Sequence, residues 1–217
     1  PTDSYVEKRP TVRVGLVQWQ MRPYKDLDDL FEQVEFFVDS VSDYKSDFIL
    51  FPEYFNAPLM AKFNDMGEAQ SIRGLAQYTE KIRDRFIELA ISYNINIITG
   101  SMPYVKDDGG LYNVGFLCRR DGSVDMYEKI HVTPDEQKSW GLSKGDRVQT
   151  FDTDCGRIGI LICYDVEFPE LSRLMAEDGM QILFVPFNTD TQNAYARVKV
   201  CAQARAIENE CYVAIAG

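Results

Sequence analysis

The sequence predicts an α/β fold in which mixed β-sheets are covered by helices. Two observations support this prediction. Over the first hundred residues, short apolar segments alternate with segments of helical period, as in units with parallel strands. From residue 112 to residue 163, two hairpin patterns interrupt that alternation and add antiparallel strands. One sheet between two helical layers is the simplest arrangement, and the hairpins raise the strand number enough to make two stacked sheets plausible.

Three strands and two helices are predicted in the first hundred residues. Residues 12–18 are rich in valine and partly alternate, which is typical of a strand. Asp26 can cap a helix whose apolar residues recur at helical spacing. These residues are Leu27, Leu30, Phe31, Val34, Phe37, Val38 and Val41. The apolar segment 47–53 predicts a second strand, and a helix over 79–93 and a strand over 95–100 follow.

Two antiparallel pairs and a final α/β section make up the rest of the chain. Strands at 112–120 and 123–129 join across an Asp-Gly pair, which is a strong hairpin signal. Strands at 148–152 and 157–163 join across a second turn that contains glycine. The remaining predicted elements are a helix over 169–178 ended by Gly179, a strand over 181–186, a helix over 193–209 and a terminal strand.

Composition limits the class of protein. At 217 residues, with 45% hydrophobic and 26% charged residues, the chain is expected to form one globular domain. Its net charge of −11 argues against nucleic acid or an anionic membrane as partner, and no apolar run is long enough to span a membrane. Five cysteines without a paired motif indicate free thiols and a cytoplasmic location.

The two ends of the sequence give further expectations. Residues 1–10 are polar and predict a flexible lead-in to a domain that occupies 1–217. The first residue is not methionine, and the last residues have the pattern of a strand within a fold. We therefore expect a fragment whose C-terminal strands are missing.

Cys163 is the first candidate for chemistry. It ends the buried strand predicted at 157–163, and Phe168-Pro169-Glu170 then has the pattern of a helix start. A thiol on this turn is expected to be exposed at a sheet edge, near helix N–H groups that favour the thiolate. The ordinary alternative for any cysteine is a small buried hydrophobe.

Three other residues are candidate partners of Cys163. Glu53 ends an apolar strand, where active sites of α/β proteins assemble, although such a carboxylate often only faces solvent. Lys129 also ends a strand, where a lysine is usually a surface residue. His131, the sole histidine, could form a dyad with Cys163. The sequence lacks a metal-binding cluster, a phosphate-binding loop and a dinucleotide fingerprint, so we expect neither metal nor cofactor.

The contexts of three of these residues resemble a known family. The segments at 51–53 (Phe-Pro-Glu), 127–131 (Tyr-Glu-Lys-Ile-His) and 159–165 (Gly-Ile-Leu-Ile-Cys-Tyr-Asp) resemble, in order, the three catalytic motifs of the nitrilase superfamily, the carbon–nitrogen hydrolases. Residues 202–209 are similar to a late helix of that family. The resemblance covers nearly the whole chain from residue 12 onward and implies an αββα sandwich of two stacked mixed sheets flanked by helices.

The resemblance also implies roles for site residues. Cys163 would be the nucleophile, Glu53 the general base and acid, Lys129 the stabiliser of the tetrahedral intermediate, and Glu136 the family's second glutamate. Burial would raise the pKa of Glu53 and the lysine ammonium would lower it, so the sequence leaves the net direction open. The residues expected to bind the oxyanion or line the pocket are Tyr164, through its backbone N–H, Asn188, Tyr54 and Trp140.

The implied reaction is hydrolysis of a small amide or carbamoyl compound through a thioester. A thiolate near a positive charge suits such a poor electrophile. The Cys-Tyr-Asp sequence is closer to amidase branches than to nitrilases. Glu167 stands where many members carry arginine, which argues against an acidic substrate. Arg173 and Arg197 are alternative carboxylate partners.

Two other functions and two kinds of partner remain open at this level. The chain could be a thiol hydrolase or acyltransferase with a Cys163–His131 dyad, or a non-catalytic interaction module that keeps the fold. The resemblance implies a homodimer, or a higher homo-oligomer, formed through the helices at 169–177 and 193–209. It is particularly close to branches in which this domain follows an acyltransferase-like domain.

Overall fold

The structure is a computed structural model that describes residues 11–217, so the predicted lead-in over residues 1–10 lies outside the described residues. The described part contains ten strands: β1 (Val14–Leu16), β2 (Phe48–Leu50), β3 (Asn96–Ile98), β4 (Met102–Val105), β5 (Leu111–Cys118), β6 (Val124–Glu128), β7 (Thr150–Thr153), β8 (Gly156–Ile160), β9 (Ile182–Pro186) and β10 (Tyr212–Ala216). Its α-helices are α1 (Leu27–Asp43), α2 (Glu68–Ala76), α3 (Thr79–Ser92), α4 (Pro134–Ser139), α5 (Pro169–Glu177) and α6 (Gln192–Asn209). Ala57–Phe63 and Cys163–Glu167 form 3-10 helices.

The strands form two mixed sheets. The first sheet has the order β1-β2-β3-β5-β4, and β6 also pairs with β5. Its first three strands are parallel, and all pairings of β5 are antiparallel. The second sheet has the order β10-β9-β8-β7, parallel except for the hairpin of β7 and β8. The strands thus form two sheets, the arrangement that the two predicted hairpins made plausible.

Strand β2 lies in the centre of the sandwich because both of its faces are apolar. Phe48 and Leu50 join the core shared with the second sheet, and the Phe48 ring centroid is 5.2 Å from that of Phe184 in β9. Ile49 and Phe51 point to the opposite core, where Phe51 lies 5.0 Å from Phe86 of α3. Side chains of α1 and α3 complete this outer core, and side chains of α5 and α6 cover the second sheet. The predicted αββα arrangement is confirmed.

Local signals placed several helix ends correctly. The Asp26 carboxylate accepts the N–H of Asp29 at 3.0 Å and caps α1, as its position predicted. Gly179 adopts a φ of +89° just after α5. The sequence did not predict the 3-10 helix over 57–63, α2, α4 or β4. These elements are short, and β4 contains Pro103, which a strand accepts at the edge of a sheet, where β4 lies.

Two glycines allow the end of β2 to pack tightly against its neighbours. Gly100 has a φ of +70°, and a Cβ there would lie 2.0 Å from the carbonyl oxygen of Pro52. A Cβ on Gly115 of β5 would lie 2.0 Å from the Gly100 oxygen. This close approach brings Glu53 into a parallel bridge with Ser101, which fixes the backbone of the glutamate.

Candidate active site

Glu53 is buried three residues after β2, a strand whose residues are all buried. The next residue, Tyr54, has a φ of +53°, and its N–H donates to the Ser101 carbonyl at 2.7 Å. This left-handed turn directs the chain away from the sheet while the glutamate stays inside. Glu53 therefore does not face solvent, which was the ordinary alternative for a carboxylate at a strand end.

Lys129 follows β6 and is also buried, with only 2% of its surface exposed. Its Nζ lies 2.8 Å from Glu53 Oε1, and 2.9 Å and 2.8 Å from Oε1 and Oε2 of Glu136. An ammonium has three N–H donors, and these carboxylate oxygens are three acceptors for them. Lys129 therefore does not occupy the surface position that is usual for a lysine. Glu136, the residue that matches the family's second glutamate, contacts the same ammonium, and we call Glu53, Lys129 and Glu136 the charge cluster.

Glu136 has a second, structural task. It is the third residue of α4, where its Oε2 accepts the Thr133 N–H at 2.7 Å and its own N–H donates to Thr133 Oγ1 at 3.3 Å. This reciprocal capping box fixes the start of the helix. The same carboxylate accepts the Tyr54 hydroxyl at 2.9 Å. Glu136 is thus held by contacts with Thr133, Tyr54 and Lys129.

Cys163 is the first residue of the 3-10 helix that follows β8. The predicted strand over 157–163 ends at Ile160 instead, and α5 begins six residues after the cysteine. Cys163 has a φ of +48°, a region that non-glycine residues rarely adopt and that is often found at functional sites. Its side chain is only 7% exposed, so the predicted exposure at a sheet edge is wrong. The strand end is covered by the segment after β9.

The backbone of Asn188 connects the Cys163 thiol with the Glu53 carboxylate. The thiol donates to the Asn188 carbonyl at a sulfur–oxygen distance of 3.8 Å, and the Asn188 N–H donates to Glu53 Oε2 at 3.0 Å. Asn188, which was expected to line the pocket, thus contacts both Cys163 and Glu53. These hydrogen bonds are made by its main chain.

The two glutamates have opposite pKa shifts although they share one lysine. Burial raises the pKa of Glu53, and the neighbouring Glu136 adds to this effect, which outweighs the opposing charge of Lys129. Burial also acts on Glu136, but both of its oxygens contact Lys129 and it accepts further hydrogen bonds, so its pKa is lowered. Lys129 stays protonated because the two carboxylates outweigh burial and raise its pKa. The same lysine thus lies beside one carboxyl with a raised pKa and one with a lowered pKa.

The expectation of a resting thiolate is not confirmed. Burial raises the pKa of the Cys163 thiol well above its usual value, and the negative charge of Glu53 raises it further, against the effect of Lys129. No α-helix begins at this cysteine to oppose the shift, because α5 starts at Pro169. The thiol therefore keeps its proton, and Glu53 is the carboxylate whose charge acts on it.

The predicted pocket residues lie in two groups around these side chains. Tyr54 and Trp140 pack edge to face beside Glu136, with ring centroids 5.4 Å apart. Tyr164 follows the nucleophile in the 3-10 helix, and its ring packs on Phe168. Its backbone N–H lies in the first turn of this helix, where such donors are not used by helical hydrogen bonds. The predicted residues thus flank the charge cluster on one side and the thiol on the other.

His131 is engaged elsewhere. Its Nδ1 lies 3.0 Å from Asp165 Oδ1, and its ring stacks on Phe168 with centroids 3.7 Å apart. Asp165, buried two residues after the nucleophile, also accepts the N–H groups of Ile130 and His131. Within residues 11–217, no hydrogen bond joins His131 to Cys163. The imidazole helps to fix the segment after Lys129 against the 3-10 helix that begins at Cys163.

Asn113 is a residue of the site that the sequence reasoning missed. It lies in β5, is 1% exposed, and its amide nitrogen contacts both Glu53 and Glu136. A signal for it was present, since it is a polar residue within the otherwise apolar strand β5. Buried polar groups in such strands require partners.

Glu167 and the two candidate arginines lie at the periphery. Glu167 ends the 3-10 helix that begins with Cys163, and its Oε1 is 3.5 Å from Arg197 Nε in α6. Arg173 donates to the Glu208 carbonyl at 2.8 Å, so its guanidinium is used between helices. Of these two arginines, the largely exposed Arg197 is the one that contacts the 3-10 helix beginning at Cys163.

The described residues contain neither a metal-binding cluster nor a helix that could cross a membrane. Across residues 11–217, no group of three or more histidine, cysteine or acidic side chains could hold a metal ion. The helices of this same part are too short or too polar to cross a membrane.

The chain is similar to known proteins over most of its length. The family profile described as Carbon-nitrogen hydrolase matches residues 13–217. A protein described as probable hydrolase YhcX of Bacillus subtilis is 44% identical over 216 residues, which are 100% of this chain and 42% of that protein. The human protein described as omega-amidase NIT2 is 32% identical over 216 residues, covering 94% of this chain and 73% of that protein.

A solved structure extends the similarity to the fold. Nit3 of Saccharomyces cerevisiae, described as a member of branch 10 of the nitrilase superfamily, superposes with a TM-score of 0.76 at 25% identity. The superposition covers 94% of this chain and 74% of that one. The chain thus spans less than half of the YhcX protein and about three quarters of the other two.

Proposed function

The chain belongs to the carbon–nitrogen hydrolase family of the nitrilase superfamily, and from this premise we propose that it hydrolyses a small amide through a thioester on Cys163. The observation that carries the proposal is a buried site in which Lys129 Nζ lies within 2.9 Å of carboxylate oxygens of both Glu53 and Glu136. Asn188 links this cluster to the thiol. These groups supply a nucleophile, a base and a positive charge.

The first half of the reaction forms the thioester and releases the amine. Glu53 takes the thiol proton as Cys163 Sγ bonds to the amide carbon, and the carbonyl oxygen becomes an oxyanion. When the tetrahedral intermediate collapses, the C–N bond breaks and Glu53 returns its proton to the leaving nitrogen. The raised pKa of Glu53 suits both transfers near neutral pH.

The second half restores the thiol. Glu53 takes a proton from water, whose oxygen attacks the thioester carbon, and the carboxylic acid leaves as the C–S bond breaks. The proton returns from Glu53 to the sulfur. Each half thus uses Glu53 once as a base and once as an acid, and no other proton acceptor is required.

Lys129 and the Tyr164 N–H stabilise the oxyanion in this mechanism. The three donors of Lys129 already face carboxylate oxygens, so the ammonium acts chiefly through its charge. Tyr164 supplies the directed hydrogen bond. In a buried site both effects are larger than in water.

The substrate is proposed to be a linear amide. Relatives described as omega-amidases support an amide on the terminal carbon of a small acyl chain, and a carbamoyl compound has the same reacting group. A nitrile is less well supported, since Cys-Tyr-Asp follows the amidase pattern. Tyr54, Trp140 and the Asn188 segment would line the pocket for the acyl group.

The single domain over 1–217, the missing C-terminal strands, the cytoplasmic location and the dimer remain predictions. The dimer is supported by exposed apolar side chains on α5, α6 and β10. These side chains are Leu174, Val200, Ile207 and Tyr212. Burying them against a second copy through α5 and α6 would remove apolar surface from water.

The test of the function is ammonia release from a substrate panel. The panel contains small neutral amides, ω-amide carboxylic acids, carbamoyl compounds and nitriles, with acid product measured in parallel. We expect turnover of amides, and a lower rate for nitriles. A wild-type protein that is folded yet releases no ammonia or amine from any of these compounds would contradict the proposal.

Glu53→Gln should reduce kcat/KM for the best amide by about 10²–10⁴-fold, the contribution typical of general acid–base catalysis. Glutamine keeps the shape and can still contact Lys129, but it cannot accept the thiol proton. The matched control is Glu170→Gln, which changes an exposed glutamate in the first turn of α5. Equal activity of the two variants would show that Glu53 is not the base.

Glu167→Arg should favour acidic substrates. The change reverses the charge at the end of the helix that carries Cys163, roughly 8 Å away at about 2 Å per residue. We expect kcat/KM for an ω-amide acid to rise several-fold relative to the neutral amide of equal length, as steady-state assays of both would show. Glu167→Gln should give a smaller change in the same direction, and a ratio unaffected by either variant would place the substrate carboxylate away from this helix.

A further inference from the structure

Asn113, like Lys129, contacts both glutamates through a single side-chain nitrogen. Its Nδ2 lies 2.9 Å from Glu53 Oε1 and 3.3 Å from Glu136 Oε1. Its backbone carbonyl accepts the Lys129 N–H at 2.9 Å. Asn113 therefore touches each of the three charged residues of the cluster, although it carries no charge.

The chemistry of its neighbours fixes the orientation of this amide. An amide NH₂ has two hydrogens, one for each glutamate oxygen, whereas a reversed amide would place its oxygen against two carboxylate oxygens. Such an arrangement would be repulsive in a buried site. The NH₂ must therefore face the glutamates.

This orientation makes the two oxygens of Glu53 unequal. Oε1 accepts hydrogen bonds from Lys129 Nζ and Asn113 Nδ2, whereas Oε2 accepts the Asn188 N–H. An oxygen that already accepts two donors, one of them cationic, binds an extra proton less readily. Oε2 is also the oxygen on the Asn188 side, where the thiol makes its hydrogen bond.

We propose that Asn113 is a positioning residue that, by occupying Oε1 of Glu53, directs proton exchange with the thiol to Oε2. The inference rests on the proposed function for its catalytic meaning. With Lys129 as its only donor, Oε1 of Glu53 would keep one lone pair open to a proton. The Lys129 ammonium is also shared with Glu136. The neutral amide removes that alternative without adding charge.

The pH dependence that follows has a definite sign. The titratable groups that face Glu53 are Lys129, Glu136, Cys163 and Tyr54. Removing the amide changes none of their charges, but it takes a donor from the ionised form of Glu53, so the pKa of Glu53 rises. A base with a higher pKa is lost to protonation at higher pH, and the acid limb of the rate profile moves upward.

Asn113→Leu is the variant that tests the inference, because leucine has a similar size and no donor. The matched control is Asn96→Leu, which removes another fully buried asparagine of the same sheet, one that binds Asp154 and the Arg120 N–H away from the site. Two pH profiles are recorded: kcat/KM for the best amide, and the rate at which iodoacetamide alkylates Cys163, followed by mass spectrometry of the Cys163 peptide.

We expect the acid limb of both profiles to move up by about one pH unit in Asn113→Leu, equivalent to about a tenfold lower rate on the acid side. Asn96→Leu should keep the wild-type limb, even if it is less stable. If Asn113→Leu does not fold, Asn113→Ser, which cannot reach both glutamates, is measured for the same shift.

An acid limb that stays at the wild-type position in a folded Asn113 variant would overturn the inference, whatever the loss of rate. An equal shift in Asn96→Leu would also overturn it, since the effect would then come from sheet stability. The alkylation profile needs no substrate. A shifted alkylation limb in a protein that hydrolyses no amide would therefore uphold the role of Asn113 and reject only the proposed function.

Discussion

Cys163→Ala should lower amide hydrolysis by at least about 10⁴-fold, because a thioester cannot form without the sulfur and the remaining groups only polarise the substrate. The substitution should change the stability of the fold little, because the side chain is small and its hydrogen bond to the Asn188 carbonyl is long, at 3.8 Å. Ammonia release measures the loss. Mass spectrometry after rapid acid quenching should detect an acyl adduct on the wild-type Cys163 peptide and none on the variant.

The control for this experiment is Cys155→Ala, which removes a half-buried thiol of the turn between β7 and β8. That thiol lies near Asp154 and Arg120, at the opposite end of β8 from Cys163. We expect wild-type turnover from it. A Cys163→Ala protein with full activity would eliminate the thioester mechanism and leave the charge cluster to act on water directly.

Lys129→Met should have the largest combined effect on activity and stability. It removes the positive charge near the oxyanion, for which about 10²–10³-fold in kcat is typical. It also leaves two buried carboxylates beside each other without their shared partner. Breaking a buried ion pair in this way costs about 3–5 kcal/mol of the free energy of unfolding. Urea denaturation and steady-state kinetics measure the two effects separately.

The stability loss in Lys129→Met should grow with pH. Without the ammonium, burial and mutual repulsion raise the pKa of Glu53 and Glu136 in the folded state above the unfolded value of 4.5. The folded variant then holds protons that the unfolded chain releases above this pH, so its free energy of unfolding falls as the pH rises. Denaturation at pH 5 and pH 8 should show a smaller loss at pH 5.

His131→Ala is the comparison that separates the two kinds of nucleophile activation. The imidazole contacts Asp165 and Phe168, so its loss should loosen the segment after Lys129 and lower activity only modestly. A variant at His131 that loses as much activity as Lys129→Met while remaining as stable as wild type would instead favour the dyad.

The sequence predicted the layers, and it indicated Glu53, Lys129 and Cys163 as candidate site residues, because both depend on local patterns. The strand before Glu53 is apolar on both faces, so both faces have to be covered, as in the interior of a sandwich. The three segments around Glu53, Lys129 and Cys163 are also recognisable by their own residue order. Predictions that needed only neighbours along the chain were therefore largely correct.

Predictions that depended on distant neighbours failed. The exposure of Cys163 was predicted from its own strand and turn, but the segment that covers it, at Asn188, comes 25 residues later. Burial, together with the negative charge of Glu53 from another sheet, raises the pKa of the thiol. Asn113 was missed because its two partners lie 60 and 23 residues away in sequence. None of these distances can be read from a local pattern.

The capping box of α4 connects the packing of Tyr54 on Trp140 with the ion pair between Glu136 and Lys129. A helix of six residues is too short to be stable alone, and its first turn is held by the carboxylate that also holds Lys129. Trp140 lies at the other end of this helix, against Tyr54. Neutralising or displacing Glu136 is therefore expected to loosen the start of α4 together with the packing of Tyr54 on Trp140.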